Sequence, residues 1–101
     1  MTAHSEFSDG RMIFYINGEL DESNIGEAKE AFDDGMLRGP SAVVLDLSGL
    51  TFMDSTAVGM IISRYKRLKS VGAKLYARGL TRQTERVFRT SGLFGIIEVI
   101  R

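Results

Sequence analysis

The sequence contains no cysteine, and this absence excludes disulfide bonds, thiol catalysis and cysteine-ligated metal sites. The single histidine, His4, cannot by itself form a usual zinc site, and no pattern places it beside a serine in a Ser-His-Asp triad. A glycine-rich phosphate-binding loop is also absent. We therefore expect no catalytic residue, no metal and no cofactor, and we do not expect an enzyme.

Long apolar runs are absent as well. No stretch approaches the roughly 20 apolar residues of a membrane-spanning helix. The first residues, Met-Thr-Ala-His-Ser-Glu, have neither the basic start nor the apolar stretch of a signal peptide. The 101 residues suffice for one domain, and 44% hydrophobic and 26% charged residues are an ordinary globular balance. We expect a single cytoplasmic domain over residues 1–101.

Acidic and basic side chains are equal in number but unequally distributed. Residues 1–54 carry eleven acidic and three basic side chains, whereas residues 55–101 carry two acidic and ten basic ones. Two interpretations are open: either the halves pack together and their charges intermingle, or the surface is polarised and attracts a charged partner. We expect no direct binding to nucleic acid or to a membrane.

Strand and helix signals alternate along the chain. Five segments have the composition of strands, namely residues 3–8, 11–17, 42–47, 74–77 and 96–100. Three segments between them repeat apolar residues at helical spacing, and they lie within residues 24–39, 54–72 and 81–92. The order β-β-α-β-α-β-α-β predicts an α/β sandwich. Its mostly parallel central sheet has four to five strands, and helices pack against it.

Turn and capping residues mark the ends of these segments. The dipeptide Asp9-Gly10 is a strong signal for a hairpin turn. Asn24 with Glu27 resembles a capping box at the start of the first helix. Thr81 is suited to cap the third helix, and Gly72 and Gly92 close the second and third helices.

The segment Asp54-Ser55-Thr56 is the most informative part of the chain, because it joins an apolar strand to the longest helix. Ligands of open α/β sheets bind at this end of the strands. Two interpretations are open. Asp54 and Ser55 are both good N-cap residues, so the segment can simply start the helix. Alternatively, a hydroxyl group exposed at the helix start is a phosphorylation site, where the N-terminal N–H groups tolerate the added charge.

Several motifs together resemble the STAS family, the domain of sulfate transporters and anti-sigma factor antagonists. In that family an apolar strand leads to an Asp-Ser-Ser/Thr-Gly motif that opens a helix. The likeness extends over about residues 11–100 and is greatest to bacterial antagonists of sporulation and general-stress anti-sigma factors. The matching segments are Gly18-Glu19-Leu20-Asp21, Asp54-Ser55-Thr56, Arg64-Tyr65-Lys66 and Ser91-Gly92-Leu93-Phe94-Gly95-Ile96-Ile97.

The resemblance implies a phosphorylation-controlled, partner-switching regulator of transcription. Its unphosphorylated form binds an anti-sigma factor that is also a serine kinase with a histidine-kinase-like ATP fold, and this binding releases the sigma factor. Phosphorylation abolishes binding, and a serine phosphatase restores it. Ser55 falls on the phosphoacceptor position, with Thr56 as the second choice. Asp54 falls on the motif aspartate, and Asp21 falls on the acidic residue of the neighbouring loop.

The chain departs from the family pattern in two places. Ala57 stands where the family usually has glycine, and we expect it to lie in the partner-binding surface with Asp21, Asp54, Ser55 and Thr56. The C-terminal helix of related antagonists is not expected, because the sequence stops near the last predicted strand. Both departures keep a second function open, a STAS subunit that is not phosphorylated and docks on a transporter ATPase.

Overall fold

A computed structural model describes all 101 residues as a six-stranded sheet with three α-helices. No helix is both long enough and apolar enough to cross a membrane. In chain order the elements are β1 (Thr2–Ser8), β2 (Arg11–Leu20), α1 (Ile25–Met36), β3 (Ala42–Asp46), β4 (Leu50–Met53), α2 (Ser55–Ser70), β5 (Lys74–Arg78), α3 (Arg82–Ser91), a 3-10 turn (Leu93–Gly95) and β6 (Glu98–Ile100).

The sheet confirms the predicted α/β class and the mostly parallel pairing. Its main path runs β1-β2-β3-β5-β6, and every pair except the β1–β2 hairpin is parallel. The five strand segments expected from the sequence do not include β4, which forms after β3 and pairs with β2. Tyr15 lies opposite Asp46 of β3, and Gly18 lies opposite Leu50 of β4. β4 therefore continues the line of β3 along β2.

The hairpin between β1 and β2 turns at the predicted dipeptide. Asp9 and Gly10 both have positive φ angles, 53° and 76°. Two consecutive positive φ angles are typical of the type I′ turn, whose twist matches that of the flanking strands. The turn thus sets a pairing in which each residue of β1 faces one residue of β2.

The core lies between one face of the sheet and the helices. Alternate residues of β2, among them Phe14, are fully buried, and the Phe14 ring meets Phe32 of α1 edge to face at 5.2 Å between centroids. On the opposite face, Val44 is only 5% exposed. Ile13 and Tyr76 lie beside it on the neighbouring strands. The second face of β3 is therefore covered at Val44 by side chains of the neighbouring strands.

The predicted capping box of the first helix was wrong. Asn24 occupies the N-cap position, but its side chain makes no capping bond. Its Oδ1 instead accepts a hydrogen bond from the Asp21 N–H at 3.0 Å, and its Nδ2 donates to the Glu19 carbonyl at 2.8 Å. Glu27 therefore has no reciprocal partner in a capping box, because Asn24 is used to close the loop that follows β2.

The predicted cap of the third helix is confirmed. Thr81 Oγ1 accepts from the Thr84 N–H at 3.4 Å, and Thr84 Oγ1 accepts from the Thr81 N–H at 2.8 Å, which completes a capping box. Gly92 ends this helix with a φ of 82°, and Gly72 follows α2 with a φ of 76°. These positive φ angles favour glycine, since it has no Cβ.

Ion pairs join the acidic first half to the basic second half. Asp33 of α1 binds Arg64 at 2.9 Å and Arg67 at 3.0 Å, and Asp46 of β3 binds Arg78 at 2.8 Å. Three of the four ion pairs are of this kind, and they pair two of the eleven acidic side chains of the first half with three of the ten basic side chains of the second half. This arrangement favours the interpretation of intermingled charges.

Asp46 is the most buried carboxylate of these pairs, at 8% exposed. It accepts hydrogen bonds from the Ser48 hydroxyl at 2.6 Å, the Ser48 N–H at 3.0 Å and Arg78 Nε at 2.8 Å. Burial by itself raises the pKa of this carboxyl. The bonds from Ser48 and Arg78 outweigh that effect, so the pKa lies below its ordinary value.

We expect Asp46→Asn to lower the free energy of unfolding at pH 7 by about 1–3 kcal/mol, because Arg78 and Ser48 lose a charged acceptor. A lowered folded-state pKa means that this stabilisation is complete above the unfolded-state pKa of about 4. It is lost as the pH falls through the folded-state pKa. Denaturant titrations from pH 7 to pH 2 should therefore show the difference between variant and parent narrowing below about pH 4.

The matched control for Asp46→Asn is Asp34→Asn, which changes an exposed carboxylate of α1 that has no ion pair. This control should unfold like the parent protein at every pH. If the free energies of unfolding of Asp46→Asn and the parent differ by a constant amount down to pH 2, the stabilisation assigned to the ionised Asp46 carboxylate is contradicted.

Candidate functional site

Two neighbouring strands end side by side and bring two aspartates together. Leu20 of β2 and Met53 of β4 lie opposite each other in a parallel pair. Asp21 and Asp54 are the next residues of their segments, so both carboxylates stand at the same end of the sheet. The predicted proximity of Asp21 and Asp54 follows from this register, and α2 begins immediately beyond it.

The Asp54 carboxylate connects the start of α2 to the loop that follows β2. Its Oδ1 accepts from the Ala57 N–H at 3.1 Å, which makes Asp54 the N-cap of the helix. Its Oδ2 accepts from the Glu22 N–H at 3.2 Å, and its own backbone N–H donates to the Leu20 carbonyl at 3.3 Å. The capping interpretation of the segment is therefore correct for Asp54.

Asp21 is held by the turn that follows it. Its Oδ1 accepts from the Ser23 hydroxyl at 2.5 Å and from the Ser23 N–H at 2.9 Å. These bonds, with the hydroxyl as the larger cause, lower the pKa of Asp21 below its ordinary value. Asp21 is therefore ionised throughout the neutral range.

Ser55 is the first residue of α2 and is exposed to solvent. Its hydroxyl has no hydrogen-bond partner in the chain. The N–H groups of Ser55 and Thr56 also have no acceptor, as is usual for the first turn of a helix. Thr56 is half-buried. The more accessible of the two predicted acceptors is therefore Ser55, beside two free N–H donors.

The predicted partner contact of Ala57 needs correction. Ala57 is fully buried in the core beneath the start of α2. A side chain in this position is not available to a partner, and its methyl group packs inside the domain. The identity of the residue at this position therefore affects packing of the helix start rather than the exposed surface.

Gln83 is a structural residue of the site that the sequence did not indicate. Its side-chain amide binds both backbone groups of Met53: Oε1 accepts from the N–H and Nε2 donates to the carbonyl, each at 3.0 Å. Thr81 Oγ1 donates to the Leu50 carbonyl at 3.0 Å. The start of α3 thus takes the place of a neighbouring strand along β4. Because β4 itself was not predicted, Gln83 had no recognisable partner in the sequence.

The surroundings of Ser55 are acidic. Glu19, Asp21, Glu22 and Asp54 stand on the two adjacent segments, and none of them forms an ion pair. These carboxylates do not form a group suited to hold a metal ion. Added negative charge at Ser55 would meet favourable N–H donors within the helix and like charges around it.

Comparison with known proteins agrees with the fold and with the resemblance to the STAS family. The sequence pattern of the STAS domain matches residues 2–101. An anti-sigma F factor antagonist of Paenibacillus polymyxa is 30% identical over 95 residues, which cover 93% of this chain and 81% of that protein. The structure of an anti-sigma factor antagonist from Mycobacterium paratuberculosis matches with a TM-score of 0.84 at 26% identity, over 97% of this chain and 83% of its own.

SpoIIAA of Bacillus has the same fold. This anti-sigma factor antagonist matches in its unphosphorylated form with a TM-score of 0.83 at 20% identity, over 99% of this chain and 89% of its own. Its phosphorylated form matches with a TM-score of 0.75 over 99% and 92% of the two chains.

We expect Gln83→Ala to lower the free energy of unfolding by about 1–3 kcal/mol, because it leaves two buried backbone groups of Met53 unpaired. Denaturant unfolding measures the change. The exposed neighbour Arg82→Ala serves as the control and should change it by less than about 0.5 kcal/mol. Equal effects of the two substitutions would contradict the role given to the Gln83 amide.

Proposed function

The chain belongs to the STAS domain family, and on this premise we propose that it is an anti-sigma factor antagonist switched by phosphorylation of Ser55. The observation that carries the proposal is the free hydroxyl of Ser55 on the first turn of α2. The anti-sigma factor antagonists among its relatives support the assignment of a regulatory rather than catalytic role.

The position of Ser55 suits a switch that leaves the domain folded. A phosphoryl group adds about −1.5 to −2 charges. Within the domain, the free N–H groups of Ser55 and Thr56 and the helix dipole offset that charge. No buried contact has to break, because Ser55 is exposed and its hydroxyl binds nothing.

The same charge acts differently across an interface. A partner seated on this end of the sheet removes solvent from Ser55 and from the adjacent carboxylates of Asp21, Glu22 and Asp54. The partner's surface is complementary to these carboxylates and to an uncharged hydroxyl. A phosphoryl group on Ser55 adds negative charge to the interface, where solvent screens it less than in the free domain. Phosphorylation of Ser55 therefore destabilises the complex much more than it destabilises the free domain.

The partner we propose is an anti-sigma factor that is also a serine kinase with a histidine-kinase-like ATP fold. The unphosphorylated domain binds it and thereby releases the sigma factor, and a serine phosphatase reverses the modification. Asp21, Asp54 and Thr56 complete the contact surface around Ser55. All of these steps take place in the cytoplasm, where the transcription machinery operates.

A STAS subunit docked on a transporter ATPase is the alternative. One argument for it was a surface altered by Ala57, and the burial of Ala57 removes that argument. Affinity capture from cell extract separates the two functions. Recovery of a histidine-kinase-like ATPase supports the proposal, whereas recovery of a transporter ATPase supports the alternative.

We expect Ser55→Glu to weaken binding to the anti-sigma factor kinase of the same organism by about 10- to 100-fold, because a permanent charge stands where the hydroxyl was. Ser55→Ala should bind like the parent and should take up no phosphate from ATP. Thr56→Ala is the matched control, and its Ser55 should still be phosphorylated. Calorimetric titration and phosphopeptide mapping make the two measurements.

Two results would contradict the switch at Ser55. One is unchanged affinity of Ser55→Glu for the kinase, and the other is phosphate uptake by Ser55→Ala equal to that of the parent. Thermal unfolding of each variant shows whether the domain is intact, since substitution at this exposed position should leave its stability within about 0.5 kcal/mol of the parent.

A further inference from the structure

The outer edge of β1 is a free strand edge seven residues long. β1 pairs only with β2, and no backbone hydrogen bond outside the regular elements involves residues 2–8. Natural edges are usually protected by charged side chains, above all lysine, by proline or by a bulge. β1 contains no lysine or proline, its one charged residue is Glu6, and its register with β2 is unbroken. At the opposite edge of the sheet, β6 has only three residues.

The side chains of β1 divide into two sets along its length. Residues with even numbers are exposed on the face of the sheet turned away from the helices, whereas Ala3, Ser5 and Phe7 are half-buried on the side of α1. The exposed set contains the only charged or titratable side chains of the strand, His4 and Glu6. Any strand that pairs with this edge meets these two groups.

The side chains of His4 and Glu6 select one register for a second copy of β1. An antiparallel, two-fold symmetric pair places residues of the same set opposite each other. If the axis passes at Ser5, His4 lies opposite Glu6 of the second copy, and Ala3 lies opposite Phe7 of the second copy. If it passes at Glu6, two glutamates lie opposite each other; if it passes at His4, two histidines do. Only the register centred on Ser5 places the His4 imidazole, an N–H donor in either protonation state, opposite a carboxylate acceptor of the second copy.

We propose that the free edge of β1 binds β1 of a second copy of this chain, antiparallel and centred on Ser5. The two sheets then form one continuous sheet in which neither β1 edge is exposed, and β6 forms the edge at each end. The chain has zero net charge, so the copies do not repel each other as a whole. A single strand pair is a small interface, and we expect a Kd on the order of 0.1–1 mM.

The pairing is independent of the Ser55 switch. β4 continues the line of β3 on the side of β2 opposite to β1, and Ser55 follows β4. Both copies therefore keep the end of the sheet at Ser55 open to a partner. Failure of the switch experiments would leave the β1 pairing unaffected, and the reverse also holds.

Disulfide cross-linking tests this register, because the chain has no cysteine of its own. In the proposed pair, Thr2 lies opposite Ser8 of the second copy, and both residues are exposed. Thr2→Cys alone places its two thiols about 20 Å apart, six residues along a strand, and Ser8→Cys alone does the same. Disulfides require Cα atoms within about 7 Å. Only the mixture of the two variants brings thiols together.

We expect the oxidised mixture to give at least about tenfold more cross-linked dimer than either variant alone, because paired strands raise the effective thiol concentration. Electrophoresis without reductant measures the yield. Equal yields in the mixture and in the single variants would overturn the proposal.

A charge exchange gives a second, cysteine-free test. His4→Glu places glutamate opposite glutamate and should reduce the dimer fraction at least about fivefold. In the double variant His4→Glu/Glu6→His, the glutamate at position 4 again lies opposite a histidine at position 6 of the second copy. This exchange should restore the dimer. Sedimentation equilibrium at about 1 mM protein measures both, and thermal unfolding confirms that each variant is folded. A monomeric parent, or a dimer unchanged by His4→Glu, would overturn the pairing.

Discussion

The parallel pairing of β2 with β4 is the constraint on which the candidate site depends. Because Leu20 and Met53 lie opposite each other, Asp21 and Asp54, the residues that follow them, lie side by side at the end of the sheet. The Asp54 carboxylate then accepts hydrogen bonds from the Glu22 N–H in the loop after β2 and from the Ala57 N–H in the first turn of α2. The amide of Gln83 holds the other edge of β4 at Met53. The start of α2 is thereby held by the sheet, the loop and α3 together.

This arrangement gives the aspartate and the serine of the motif different tasks. N-capping requires one side-chain oxygen on the first turn, and Asp54 supplies it. Ser55 is therefore not needed as a cap, and its hydroxyl stays free. The structural interpretation applies to Asp54, whereas the proposed phosphorylation concerns the adjacent Ser55, so the two interpretations do not compete. A modification at Ser55 leaves the capping bond of Asp54 intact.

Four aspartates of the domain fall into two groups by the kind of partner they have. Asp33 and Asp46 bind arginines from the second half of the chain, and these pairs hold elements together. Asp21 and Asp54 accept only from hydroxyl and N–H groups. Their negative charge is therefore not neutralised, and it is concentrated beside Ser55. This unneutralised charge makes that end of the sheet responsive to one further charge.

The sequence by itself determined what depends on neighbouring residues: the alternating elements, the Asp9-Gly10 turn, the Thr81 cap and the placement of the Asp54-Ser55-Thr56 motif at a helix start. Periodicity and capping are short-range effects, so a single segment carries their signal. The tertiary structure decided the rest. β4 has too few residues for a clear periodic pattern and forms because β2 offers it a partner. Gln83, the altered role of Asn24 and the burial of Ala57 depend on contacts with other elements, which exist only once the chain has folded.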